Sequence, residues 1–151
     1  MLWHDAAFSY LHFVFVLILA GALVAEVFVL RLPVDSRVAR LLLRIDLFYG
    51  VSSVGVILAG VARVVWGAKG SEFYIAQPFF WAKMATFLII GVISATPTRR
   101  FLRWVKEANA APSFTAPDAD VARMRRFVMI ELHLLALVPL FAALMARGIG
   151  S

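Results

Sequence analysis

The chain holds four apolar runs, each long enough to cross a bilayer as a helix, and these set the fold class before anything else is considered. A hydrocarbon core about 30 Å thick needs about 20 helical residues to span it. The runs read as Ala7 to Leu30, Leu41 to Trp66, Phe79 to Thr96 and Phe127 to Ala146. With their connections they use up all 151 residues, leaving one transmembrane domain over 1–151 and no soluble domain. Composition agrees: 63% of residues are hydrophobic and 16% charged, too apolar for a water-soluble domain of this size. The expected architecture is all-α, an integral membrane four-helix bundle.

Breakers punctuate the runs. Pro33 lies in the turn Leu32 to Ser36, Gly67 to Gly70 closes the second run, Pro78 opens the third and Pro97 follows it. Phe79, Phe80 and Trp81 suit an aromatic belt at the membrane interface. The one long connection, 98–126, carries the basic stretch Arg99 to Lys106 and then Pro112 and Pro117, and reads as a surface helix followed by a mobile link. Asp118 or Asp120 is expected to cap a helix leading into the fourth run. The start of the chain lacks the basic n-region of a signal peptide, so the first run is expected to be retained.

The formal net charge of +6 would suggest nucleic acid in a soluble protein. Here the basic residues flank apolar runs, so they act as topology signals and no nucleic-acid partner is expected. Arg31, Arg37, Arg40, Arg44, Arg99, Arg100, Arg103, Lys106, Arg123, Arg125 and Arg126 gather on one side; the other has Arg63, Lys69 and Arg147. The positive-inside rule then puts both termini on the non-cytoplasmic side of a bacterial inner membrane. Small residues four apart, Gly21 with Ala25, Gly55 with Ala59 and Ala142 with Ala146, would let helices approach closely, and a homo-oligomer is compatible with them.

Ionisable residues at membrane depth are costly and are candidate functional groups. Depth sorts them into two layers: His12, Arg63 and Lys83 in the outer third, and Glu26, Arg44, Asp46, Glu131 and His133 in the inner third. His12 and Glu26 share a helix face but stand about 21 Å apart, too far for one site. Lys83, Thr86 and Ser94 line one side of the third helix, so His12 and Lys83 can converge, although a lysine there can also snorkel to the interface. Arg63 reads more simply as an interface anchor. In the inner layer the carboxylates are expected to pair with Arg44 and the basic loops as a helix-locking network, or else to relay protons. Glu131 and His133 differ by about 200° around their helix, so only one can face the core. His12 and His133 differ in depth by about 13 Å and make a poor pair of haem ligands. Cysteine is absent, and no nucleophile elbow, phosphate loop or HExxH motif is present.

Leu11-His12 opening a helix that runs through Ala20-Gly21-Ala22-Leu23, and Phe80-Trp81-Ala82-Lys83-Met84 opening the third run, resemble the four-span membrane protoporphyrinogen IX oxidases of bacteria. That resemblance implies a functional pair, His12 and Lys83, and bound haem b with His12 on the iron. Lys83 and Arg63 would then meet propionates, and the activity would be redox or tetrapyrrole chemistry. The end of the first helix departs from that family, reading Glu26-Val27-Phe28-Val29-Leu30-Arg31. Over nearly its full length the chain is similar to a family of small bacterial four-span membrane proteins without an assigned function. The shared features are Arg44 to Gly50, Lys69-Gly70 through Lys83, and Pro139 to Gly148. A carrier or accessory protein in which Glu26, Asp46 and Glu131 handle protons or cations is the alternative.

Overall fold

A computed structural model describes residues 2–67 and 70–149. Helix α1 runs Leu2–Val29, α2 Ser36–Trp66, the short α3 Gly70–Ile75, α4 Pro78–Ala110 and α5 Asp118–Ala146. The four long helices are each apolar enough to cross a membrane. They form a ring in the order α1, α2, α4, α5, with α1 packed most extensively on α2 and α4 on α5. One end of the bundle, here the basic end, holds the α1–α2 turn and the α4–α5 link; the other, the terminal end, holds both chain termini and α3. Lys69, counted above among the charges opposite the basic loops, lies outside the described residues.

Each helix buries a seam of positions three or four apart, the spacing that keeps one stripe facing its neighbours. In α2 it is Ala39, Leu42, Asp46, Tyr49, Ser52, Val56, Ala59 and Ala62; in α5 it is Val121, Met124, Val128, Glu131 and Leu135. Leu23, Leu30, Leu42, Phe101, Trp104 and Val128 fill the core toward the basic end. The opposite faces present Leu47, Val51, Leu58, Leu88 and Val92 outward. An apolar exterior of that extent suits contact with lipid and not with water.

Two expectations about boundaries are corrected. The third run does not stop at Thr96, because α4 continues without a break from Pro78 through Pro97 to Ala110. Proline removes one backbone N–H, but inside a bundle neighbouring helices can compensate for such a loss, and Pro97 is buried on the seam between Ile90 and Phe101. The basic stretch Arg99 to Lys106 is therefore the end of a spanning helix. What remains of the link is 111–117, and it is tied down: the Ala116 N–H donates to the Val34 carbonyl at 2.9 Å, and Asp35 and Thr115 form a β-bridge. Nor does an aspartate cap α5. Pro117 is its N-cap, and Asp118 and Asp120 lie in the first turn, where Asp120 forms an ion pair with Arg100 of α4.

Of the small-residue pairs, Gly55 with Ala59 makes the close approach. A Cβ at Gly55 would stand 2.6 Å from the Phe15 ring of α1, whereas nothing lies within 4 Å of the corresponding points at Gly21, Gly50 and Gly91. Ala146 is exposed and Ala142 half-buried, so that pair does not form a tight helix contact.

Gly55→Ala should destabilise the bundle by about 1–3 kcal/mol through overpacking against Phe15, while Gly50→Ala should be neutral or stabilising by up to about 1 kcal/mol through helix propensity. Reversible unfolding in mixed micelles would measure both. A second expectation concerns Asp35, the N-cap of α2, which accepts backbone N–H bonds from Val38 and Arg37 at 2.9 and 2.8 Å. These bonds hold its carboxyl below the usual aspartate range. The stabilisation is complete above the unfolded value of about 3.9 and is lost as pH falls through the lower folded value. Asp35→Asn should keep most of the cap and Asp35→Ala should not, and both should lose this acid-dependent component of the melting curve.

Candidate functional site

The bundle is tight toward the basic end and opens toward the terminal end into a cavity of about 440 Å³, within the size range of small-molecule sites. His12 of α1, Arg63 of α2 and Lys83 of α4 all line it. Most of the remaining wall is apolar, including Val16, Leu19, Phe80, Met84 and Phe87, and Tyr74 of α3 sits at its terminal end. The residues expected to converge, His12 and Lys83, thus line one cavity, and Arg63 lines it with them.

Each of the three is positioned by its helix. His12 lies two turns before Leu19 on the α1 seam and is half-buried. Its Nδ1 donates to the Val56 carbonyl of α2 at 3.2 Å, since a carbonyl can only accept, and Nε2 is left with the lone pair. Gly60, one turn beyond Val56, gives the ring room: a Cβ there would stand 3.6 Å from His12 Cε1. Lys83 is half-buried, with Nζ over the Phe80 ring at 5.3 Å from the centroid. That cation–π contact supports a desolvated ammonium without neutralising it. Arg63 Nε is buried with no hydrogen-bond partner. The wall also includes Leu135 and Pro139 of α5, and proline at 139 leaves the Leu135 carbonyl without its intrahelical donor.

Chemically the cavity is an apolar slot with two cationic side chains and an imidazole lone pair, and no carboxylate among the described residues lines it. Like charges gathered in an apolar wall repel, and an orphaned guanidinium N–H costs free energy until an acceptor arrives. The arrangement is electrostatically complementary to an anion. Among the described residues, no three His, Asp or Glu side chains gather closely enough to hold a bare metal ion.

The second layer lies nearer the basic end. Glu26, Asp46 and Glu131 are each buried and within electrostatic reach of one another. The expected helix-locking pairs with Arg44 are absent: Arg44 is exposed, and none of the three carboxylates forms an ion pair with a described residue. Arg44 stands off the seam that Leu42 and Asp46 occupy, so its side chain points outward. His133 is likewise exposed, with Nδ1 bonded to its own helix at the Met129 carbonyl, 2.6 Å away, while Glu131 takes the core position. The partners of the carboxylates are neutral. Thr98 of α4 donates to Asp46 at 2.9 Å, and the Tyr49 side chain lies against Glu131 and Ser94.

Tyr49 and Thr98 were not singled out from the sequence. Tyr49 had a signal, since it follows Asp46 by three residues on the same seam. Thr98 had none, because Pro97 placed it in a loop.

No curated protein and no solved structure matches the chain. The family model described as "Predicted membrane protein (DUF2214)" matches residues 4–150, so this chain belongs to that membrane-protein family.

Proposed function

We propose that the cavity near the terminal end binds haem b or a related porphyrin and serves redox or tetrapyrrole chemistry in a bacterial inner membrane. The observation that carries this reading is the arrangement of His12. Its Nδ1 is tied to the Val56 carbonyl and its Nε2 is free, the second-sphere pattern that orients histidines which ligate metals. The imidazole stands in a slot whose cationic groups, Arg63 and Lys83, suit the propionates of a tetrapyrrole. The orphaned Arg63 Nε is the buried donor that such a carboxylate would satisfy. Phe80 and Met84 supply apolar contact for a flat ring. Bound there, haem would contribute one-electron chemistry, while the chain fixes its position, meets its negative edge and excludes water. The resemblance of the His12 and Lys83 segments to the protoporphyrinogen IX oxidases points the same way.

Protein purified in detergent from haem-replete cells should show a Soret band. His12→Ala should abolish it, and Arg63→Ala or Lys83→Ala should each weaken binding about 10- to 100-fold, the usual loss for one charge-assisted hydrogen bond. Colourless wild-type protein, or a band indifferent to His12→Ala, would sink the reading.

The same proposal gives the bundle a direction, with the terminal end outside and the basic end in the cytoplasm, from the Lys and Arg distribution. The absence of cysteine makes this simple to test. Ser71→Cys should react with an impermeant maleimide in intact cells, and Asn109→Cys only after permeabilisation; the reverse pattern would invert the topology.

A further inference from the structure

We infer that Glu26, Asp46 and Glu131 form a proton-binding site within the bundle, bordered at Asp46 by a second cavity. This does not rest on any ligand in the His12 cavity. The three carboxyl groups come from α1, α2 and α5 and are 2%, 7% and 1% exposed. The fourth helix, α4, faces them with Ser94 and Thr98 and brings no charge. Tyr49 is the other titratable group at the cluster. The nearest basic residues on the same helices, Arg44 and His133, are exposed.

Uncompensated carboxylates kept from water are among the most costly arrangements in a protein, and several in one layer also repel one another. A cation must therefore accompany them. A metal ion is disfavoured, because the three groups do not gather into a geometry that could hold one. Protons remain. They also answer a second observation: the Oε1 atoms of both Glu26 and Glu131 are buried without a hydrogen-bond partner. A carboxyl oxygen that carries its own proton no longer presents an unpaired charge, and its O–H adds a donor to a cluster otherwise rich in acceptors.

A second cavity borders the cluster. A cavity of about 600 Å³ lies between α2 and α4, and Asp46, Tyr49, Ser94 and Thr98 form its polar wall. Asp46 is the carboxyl that borders this space, and Tyr49, on the same wall, lies against Glu131 in the core. Ile57 and Phe87 line both this cavity and the one that holds His12. One layer of side chains thus separates the two cavities.

Infrared spectroscopy of the full chain in lipid decides the matter. At pH 7 the wild type should show the C=O stretch of protonated carboxylic acid, shifted in D2O. Glu26→Gln and Glu131→Gln should each lose part of that band, while Glu72→Gln in exposed α3 leaves it unchanged. A wild-type spectrum without the band at pH 7 overturns the proposal whether or not the variants fold. A band that persists in full in both Gln variants overturns it too. A band that appears only when sodium and potassium are withdrawn would show instead that the cluster holds a metal cation.

Discussion

Lipid tails offer no hydrogen bonds, so every polar atom at bilayer depth in this chain must find its partner inside the bundle or go without. The backbone meets that demand by remaining helical almost throughout, and the hydroxyls of Ser53, Thr86 and Ser94 are returned to carbonyls of their own helices. Charged side chains cannot be absorbed so cheaply. They are segregated instead, with cations around one cavity and carboxyls clustered nearer the basic end, and the two groups do not cancel one another.

The segregation follows from seam geometry. On α1 the positions of His12 and Glu26 fall on one face but at opposite depths, so a single helix delivers one residue to each layer. On α2, Asp46 and Arg63 do the same from the other direction. Because α1 and α2 are the most extensively packed pair, and Phe15 closes directly on Gly55 between the layers, their relative register is fixed where it matters. The basic end is stiffened separately, by the Val34 to Ala116 bond, the Arg40 to Asn109 contact and the Arg100 to Asp120 ion pair.

Much of this was legible in the residues themselves. The lengths of the apolar runs gave four helices, and 3.6-residue periodicity turned Lys83 toward the bundle and allowed only one of Glu131 and His133 to face the core. What escaped was the behaviour of residues whose meaning depends on neighbours in space. Pro97 reads as a stop, yet it is buried within α4 and leaves that helix 14 residues longer than expected, carrying Thr98 to Asp46. Gly21 and Gly55 look alike along the chain, and only packing tells that one meets Phe15 and the other meets nothing. Arg44 seemed a natural partner for Asp46, but two residues of separation on a helix turn it to the opposite side.

The His12 cavity is flanked by Val61, Val65 and Met84, all exposed on the outward faces of α2 and α4. An opening bordered by such side chains gives onto hydrocarbon, not onto an aqueous vestibule. Occupancy is then governed by how strongly a compound partitions into the membrane and by its lateral diffusion there, so an amphiphile scarce in water can still saturate the slot. For the tetrapyrrole proposed above, selectivity would be exercised in two stages, first by the bilayer, which concentrates flat apolar molecules, and then by Arg63 and Lys83, which would hold those carrying a negative edge.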